Sequence, residues 1–152
     1  MIKQVLLAPV PCIHLESAAK IPSLMQRVAF GTSQLGFNFP IGLPVFIYAS
    51  QPPHPRHPLF HAGFASWTGR LGEIVKANET GPRSGKHPDP SVRPPSTEAN
   101  NTGDGPFLLF WEVLELHKLE PPRPLRDFKK KSGGTFDGNV PQWPILVHLA
   151  VR

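Results

Sequence analysis

Leu43-Pro44-Val45-Phe46-Ile47-Tyr48-Ala49 is the stretch on which the fold turns. It is β-branched and aromatic, apolar almost throughout, and closed by Ser50-Gln51-Pro52-Pro53. Such a run has no polar face to offer to water, so it is expected as a central strand covered on both sides. Lys3 to Ala8 reads as a first strand, and Ser23 to Ala29 as a short helix after Pro22. His61 to Lys76 carries Phe64, Trp67, Leu71, Ile74 and Val75 among glycines at 63, 69 and 72, which suits a strand with bulges.

Asn78 to Pro106 breaks the pattern with many prolines, few large apolar residues and the turn pairs Gly81-Pro82, Ser84-Gly85 and Asp104-Gly105. A disordered insertion is expected over about 78–104, within a single domain 1–152. Order resumes at Phe107 to Leu116. Read at strand period, Trp111 and Val113 share one face there, Leu114 and Leu116 the other. Pro121-Pro122-Arg123-Pro124 is expected to stop that strand, Leu125 to Phe128 to make one helical turn, and Ile145 to Val151 to form the last strand.

Composition agrees. The 152 residues are 39% hydrophobic and 18% charged, with 20 prolines and 13 glycines, so the chain is foldable but heavily punctuated by turns. The class is mainly β (α+β), with one or two short helices. Cys12 is the only cysteine, which excludes an internal disulfide and a multi-thiolate zinc site and suits a reducing, cytoplasmic setting. No stretch reaches the roughly 18 apolar residues of a membrane span, and Pro9 and Pro11 interrupt the apolar start. The net charge of +5 gives a surface field that draws polyanions.

The order of the pieces resembles the PUA-like superfamily, the small pseudo-barrels that include PUA, ASCH, EVE and YTH domains. The likeness lies in a strand ending Phe46-Ile47-Tyr48-Ala49-Ser50, a glycine-bearing strand reaching Gly72-Glu73-Ile74-Val75, and Gly105-Pro106-Phe107 leading into Trp111-Glu112-Val113. The turn Leu119 to Leu125 and the closing Val140-Pro141-Gln142-Trp143-Pro144-Ile145 complete it. The Gly-x-Lys-x-x-Glu-x-Arg string of ASCH domains is absent from Ile21 to Pro40, which points to an EVE-like or unassigned branch. The resemblance implies a PUA-like β-barrel that binds RNA or modified nucleobases in a concave pocket. The expected function is recognition of RNA or DNA, including a modified or flipped base, without a cofactor and without chemistry.

Such a pocket needs an aromatic face and polar groups for the base edge. Tyr48, Ser50, Trp67, Asn139, Gln142 and Trp143 are the candidates, while Trp111 reads as core. Arg126, Lys129, Lys130 and Lys131 form the only dense positive run, with Arg123 nearby and Ser132-Gly133-Gly134 expected to be flexible beyond it. With Arg56 and His57 these are the phosphate-contact candidates. His54, His57 and His61 sit in a loop held extended by prolines and are not expected to bind metal. Two alternatives stand beside this reading: a metal-independent ribonuclease using His61, Tyr48 and Lys76, and a protein-interaction module built on the proline-rich loops.

Overall fold

The computed structural model describes residues 2–21, 26–32, 37–77, 87, 89–96, 107–136 and 140–150. Seven strands form one mixed sheet: β1 (Ile2–Pro11), β2 (Val28–Thr32), β3 (Pro44–Ser50), β4 (Phe64–Lys76), β5 (Leu109–Pro124), β6 (Phe128–Lys130) and β7 (Ile145–Ala150), in the spatial order β2-β5-β4-β3-β1-β7-β6. The mainly β class is as expected. β3 holds the middle place and is covered on both faces. Val45, Ile47 and Ala49 join one apolar cluster, and Phe46 and Tyr48 another. Its pairing with β1 is parallel, Leu6 opposite Val45, and all other ladders are antiparallel.

The helix lies elsewhere than expected. Helix α1 spans Cys12–Ala18, directly after β1, and buries Cys12, Leu15 and Ala18, three residues apart along one face. Of the expected helix Ser23 to Ala29, residues 23–25 lie outside the described set. Val28 and Ala29 belong to β2, where they pair with Val113 and Glu112. Ladder bonds to β5 outweigh a local helical preference there.

β5 is longer than expected, running through Pro121, Pro122 and Pro124. Its face alternation also slips. Glu115 takes the left-handed φ of 56°, and the β4–β5 register jumps from Arg70–Leu114 to Thr68–His117. The bulge returns Leu116 to the face of Trp111 and Val113, where all three join one cluster. Gly69 is opposite, and a Cβ on it would lie 2.7 Å from the Leu114 carbonyl oxygen. Bulges on β4 and β5 curl the sheet. Val10 of β1 and Phe30 of β2 line one hollow, although four strand places, roughly 19 Å on a flat sheet, separate them in the order.

The expected disordered insertion is corrected over residues 87 and 89–96, while 78–86, 88 and 97–104 lie outside the described residues. His87, Val92 and Arg93 are buried, and Pro90–Val92 forms a 3₁₀ turn. Val92 packs with Ala29, Ala77 and Phe110, while the Arg93 guanidinium lies over the rings of Phe107 and Phe110 at 5.2 and 5.0 Å. This segment covers the outer face of β2 and β5. It does so with few apolar residues, which is why its composition resembled an unstructured linker.

Candidate nucleic-acid interface

The hollow formed by the curl encloses about 150 Å³ between Val10, His14, Phe30, Gly31, Trp111 and Pro144. Trp111 is its aromatic wall, stacked on Phe37 at 5.7 Å between centroids and tilted against Phe30 at 5.1 Å. Phe107 closes another side, so near Gly31 that a Cβ there would fall 2.5 Å from the Phe107 ring. Glycine is required at that contact by space alone. His14 is anchored by Nδ1 at 2.7 Å from Ser96 Oγ, and the Ser96 amide in turn donates to Ser17 Oγ at 3.1 Å.

Pro144 also borders a second, shallower cleft, lined by Phe39, Lys130, Lys131, Ser132 and Ile145. β6 carries the basic run to this place. Phe128 is buried and pairs with Leu149, which leaves Lys129 exposed; the Lys130 ammonium sits 5.0 Å above the Phe136 ring. The expected flexible loop is instead a hydrogen-bonded turn: the Lys130 amide donates to the Gly134 carbonyl at 2.8 Å, and the Gly133 amide to the Lys130 carbonyl at 2.8 Å. Gly133 has φ 93°, which only glycine adopts without strain. The turn thereby carries Lys130 and Lys131 at the cleft, with Lys129 exposed beside them. Comparison with known proteins gives no match of the chain to a family model, a curated protein or a solved structure.

The aromatic candidates do not converge. Trp67 opposes Ile47 across the β3–β4 ladder and is buried on the face of the Trp111 cluster. Tyr48, the next residue along β3, therefore points to the opposite face, where it packs edge-on to Phe60 at 6.4 Å. Burial pushes its phenol above the ordinary range, and the neighbouring Cys12 adds to the shift. Ser50 is half-buried at the end of β3, and Asn139 lies outside the described residues. Gln142 is exposed beside Trp143, and Trp143 itself is 57% exposed, so it is no core plug.

The other basic candidates divide in the same way. Arg123 is committed to structure, with Nε 3.3 Å from Asp127 and Nη2 donating to the Ala150 carbonyl at 3.1 Å. His57 bridges its loop to α1, Nε2 lying 3.1 Å from Glu16, while its Nδ1 accepts the Leu59 amide at 3.2 Å. Arg56 and Arg126 are exposed, and neither borders the hollow or the cleft. Among the described residues no group of three His, Cys, Asp or Glu side chains is placed to hold a metal. Cys12 is fully buried, and that burial pushes its thiol up.

Sequence reasoning missed His14, Phe30, Gly31, Phe107 and Pro144; its placement of Trp111 in the core holds, for that ring is buried in the main apolar cluster and borders the hollow from there. The lining residues come from segments far apart in the chain: the β2–β5 ladder sets Phe30 opposite Trp111, and the curl of the sheet brings His14 and Pro144 to them. Trp111 alone carried a signal, an indole within an apolar strand, and that signal is equally a sign of core.

Proposed function

We propose that this chain is a nucleic-acid-binding module in which the basic run Lys129 to Lys131 grips the phosphate backbone and the adjoining hollow receives one base. Pro144, shared by the hollow and the lysine-lined cleft, is the observation that carries the reading. A cavity near 150 Å³ holds a single benzene-sized ring. Trp143, exposed immediately before Pro144, offers a stacking face for a neighbouring base. A flipped or modified base in RNA or DNA is the ligand that the PUA-like resemblance favours. The single buried cysteine suits a cytoplasmic setting. No helix among the described residues is long and apolar enough to cross a membrane.

Fluorescence anisotropy with short RNA and DNA strands tests this. Replacing Lys129, Lys130 and Lys131 with alanine should weaken all strands alike and flatten the salt dependence by up to roughly 0.7 per lost phosphate contact. Trp143→Ala should remove roughly 1–3 kcal/mol of stacking and leave the salt slope alone. Failure to bind any strand at low salt would reject the proposal in favour of a protein-interaction module. The ribonuclease alternative gains nothing from the geometry. Lys76 ends β4, His61 precedes its start, and Tyr48 faces the other side of the sheet.

A further inference from the structure

β5 departs from β4 at one place more than at any other. Ala65 pairs with Arg123 and Trp67 with Lys118, so the single residue Ser66 faces the four residues Leu119 to Pro122. The cause is local. Pro121 and Pro122 have no N–H to give to β4, so the strand loops outward and leaves a gap. A cleft of about 250 Å³ fills that gap, lined by His61, Ser66, Trp67, Lys118 and Glu120 among others, and it shares no residue with the hollow or the lysine-lined cleft.

Its polar groups make no bonds to one another. Ser66 is 5% exposed, and its hydroxyl has no hydrogen-bond partner among the described residues. A buried hydroxyl left unbonded costs free energy, and a functional cleft is one place where that cost persists. The Lys118 ammonium lies 6.0 Å from the Trp67 ring centre and forms no ion pair with a described carboxylate. The imidazole of His61 is exposed at the same cleft. One ammonium, one imidazole and one buried hydroxyl are thus three donors among the residues that line the cleft. A phosphate group, with three strong acceptor oxygens and more negative charge than a carboxylate, can answer all three.

We propose that this cleft is a phosphate-binding site in which Lys118, His61 and Ser66 hold the oxygens above the Trp67 side chain. Glu120 opposes the ligand's charge and keeps the affinity modest. The phosphate can be free or the terminal group of a nucleic-acid strand. The site stands on its own residues, so it survives or fails separately from base recognition at the hollow.

Inorganic phosphate, titrated into the full chain at constant ionic strength, should shift the Ser66 and Lys118 amide signals and the Trp67 indole N–H saturably. Ser66→Ala and Lys118→Met should each weaken binding roughly tenfold, and Glu120→Gln should tighten it. Ser66→Ala should melt no earlier than the parent chain, because no protein bond is lost, so weaker binding there is not a loss of fold. The proposal is overturned by an absence of saturable shifts, by equal shifts with chloride, or by unchanged affinity in both Ser66→Ala and Lys118→Met. Oligonucleotides with and without a terminal phosphate then separate the sources. A strand end is the ligand if only the phosphorylated strand moves these signals at lower concentration than free phosphate does; equal behaviour identifies free phosphate.

Discussion

The two ends of β5 follow different rules within one strand. From Leu109 to Val113 it has a ladder on each side, β2 pairing with those same residues and β4 with Leu109, Phe110, Trp111 and Val113. Phe110, Trp111, Glu112 and Val113 are all buried there. Beyond the reach of β2 the strand is an edge among the described residues, and the Leu119 to Pro124 stretch is exposed or half-buried, with three prolines. Prolines on an edge block pairing with other chains and leave irregular backbone beside open grooves. Two-sided pairing buys rigidity, and the one-sided end supplies surface.

That contrast breaks most visibly under core truncation. Phe110→Ala should cost roughly 3–5 kcal/mol by urea denaturation, because the ring is fully buried beneath Phe107, Arg93 and His87. If it costs no more than a surface change, the docked segment 89–96 is not part of the cooperative unit.

A smaller loss is expected at Glu112, whose carboxylate is 3.2 Å from His87 Nε2 and 3.5 Å from Arg27. His87 Nδ1 accepts the Asp89 amide at 2.8 Å, so the ring proton belongs on Nε2, aimed at Glu112. Glu112→Ala strands that buried donor and should cost about 1–3 kcal/mol, with faster amide exchange at Asp89. Unchanged exchange there would mean the His87 contact does not tie the segment down.

At the edge end, His117→Ala should change stability by no more than about 0.5 kcal/mol, and so should Trp143→Ala elsewhere on the surface. A core-sized loss in Trp143→Ala would overturn its placement as an exposed stacking face.

The smallest effect concerns acid. Arg70, bonded to Glu115 at 3.1 Å, holds the Glu115 carboxyl below its ordinary range, and Ser91 does the same for Asp89. A lowered folded-state value stabilises above the ordinary carboxylate range, and that contribution is lost as pH falls through the folded value. Both groups are exposed, so solvent screens them. Arg70→Ala should lower the urea midpoint slightly at neutral pH and hardly at all in strong acid. An equal drop at both would show that the arginine acts through packing.

How much was legible follows from what each feature depends on. The central place of β3 needed only its own seven residues. Glycines 69 and 72 announced the irregularity of β4, and the charge run of β6 announced itself. The alternation beyond Glu115 failed because a left-handed residue in mid-strand leaves no mark in a hydrophobic pattern. Tyr48 and Trp67 were grouped because both are aromatic and sit on strands; their opposite facing depends on a register, Ile47 to Trp67, that neither segment encodes alone. The hollow needs β1 and β2 to meet across the curl. That is a property of the whole sheet and of no single motif.

Cys12 has a practical use. It is fully buried at the start of α1, packed in the main apolar cluster, and its thiol resists ionisation. An alkylating reagent can therefore reach it only when the domain opens, which makes its labelling rate a clock for unfolding in the unmodified chain. The same silence means that a cysteine introduced at exposed Gln142, two residues before Pro144, would be the one thiol a dye finds in the folded protein.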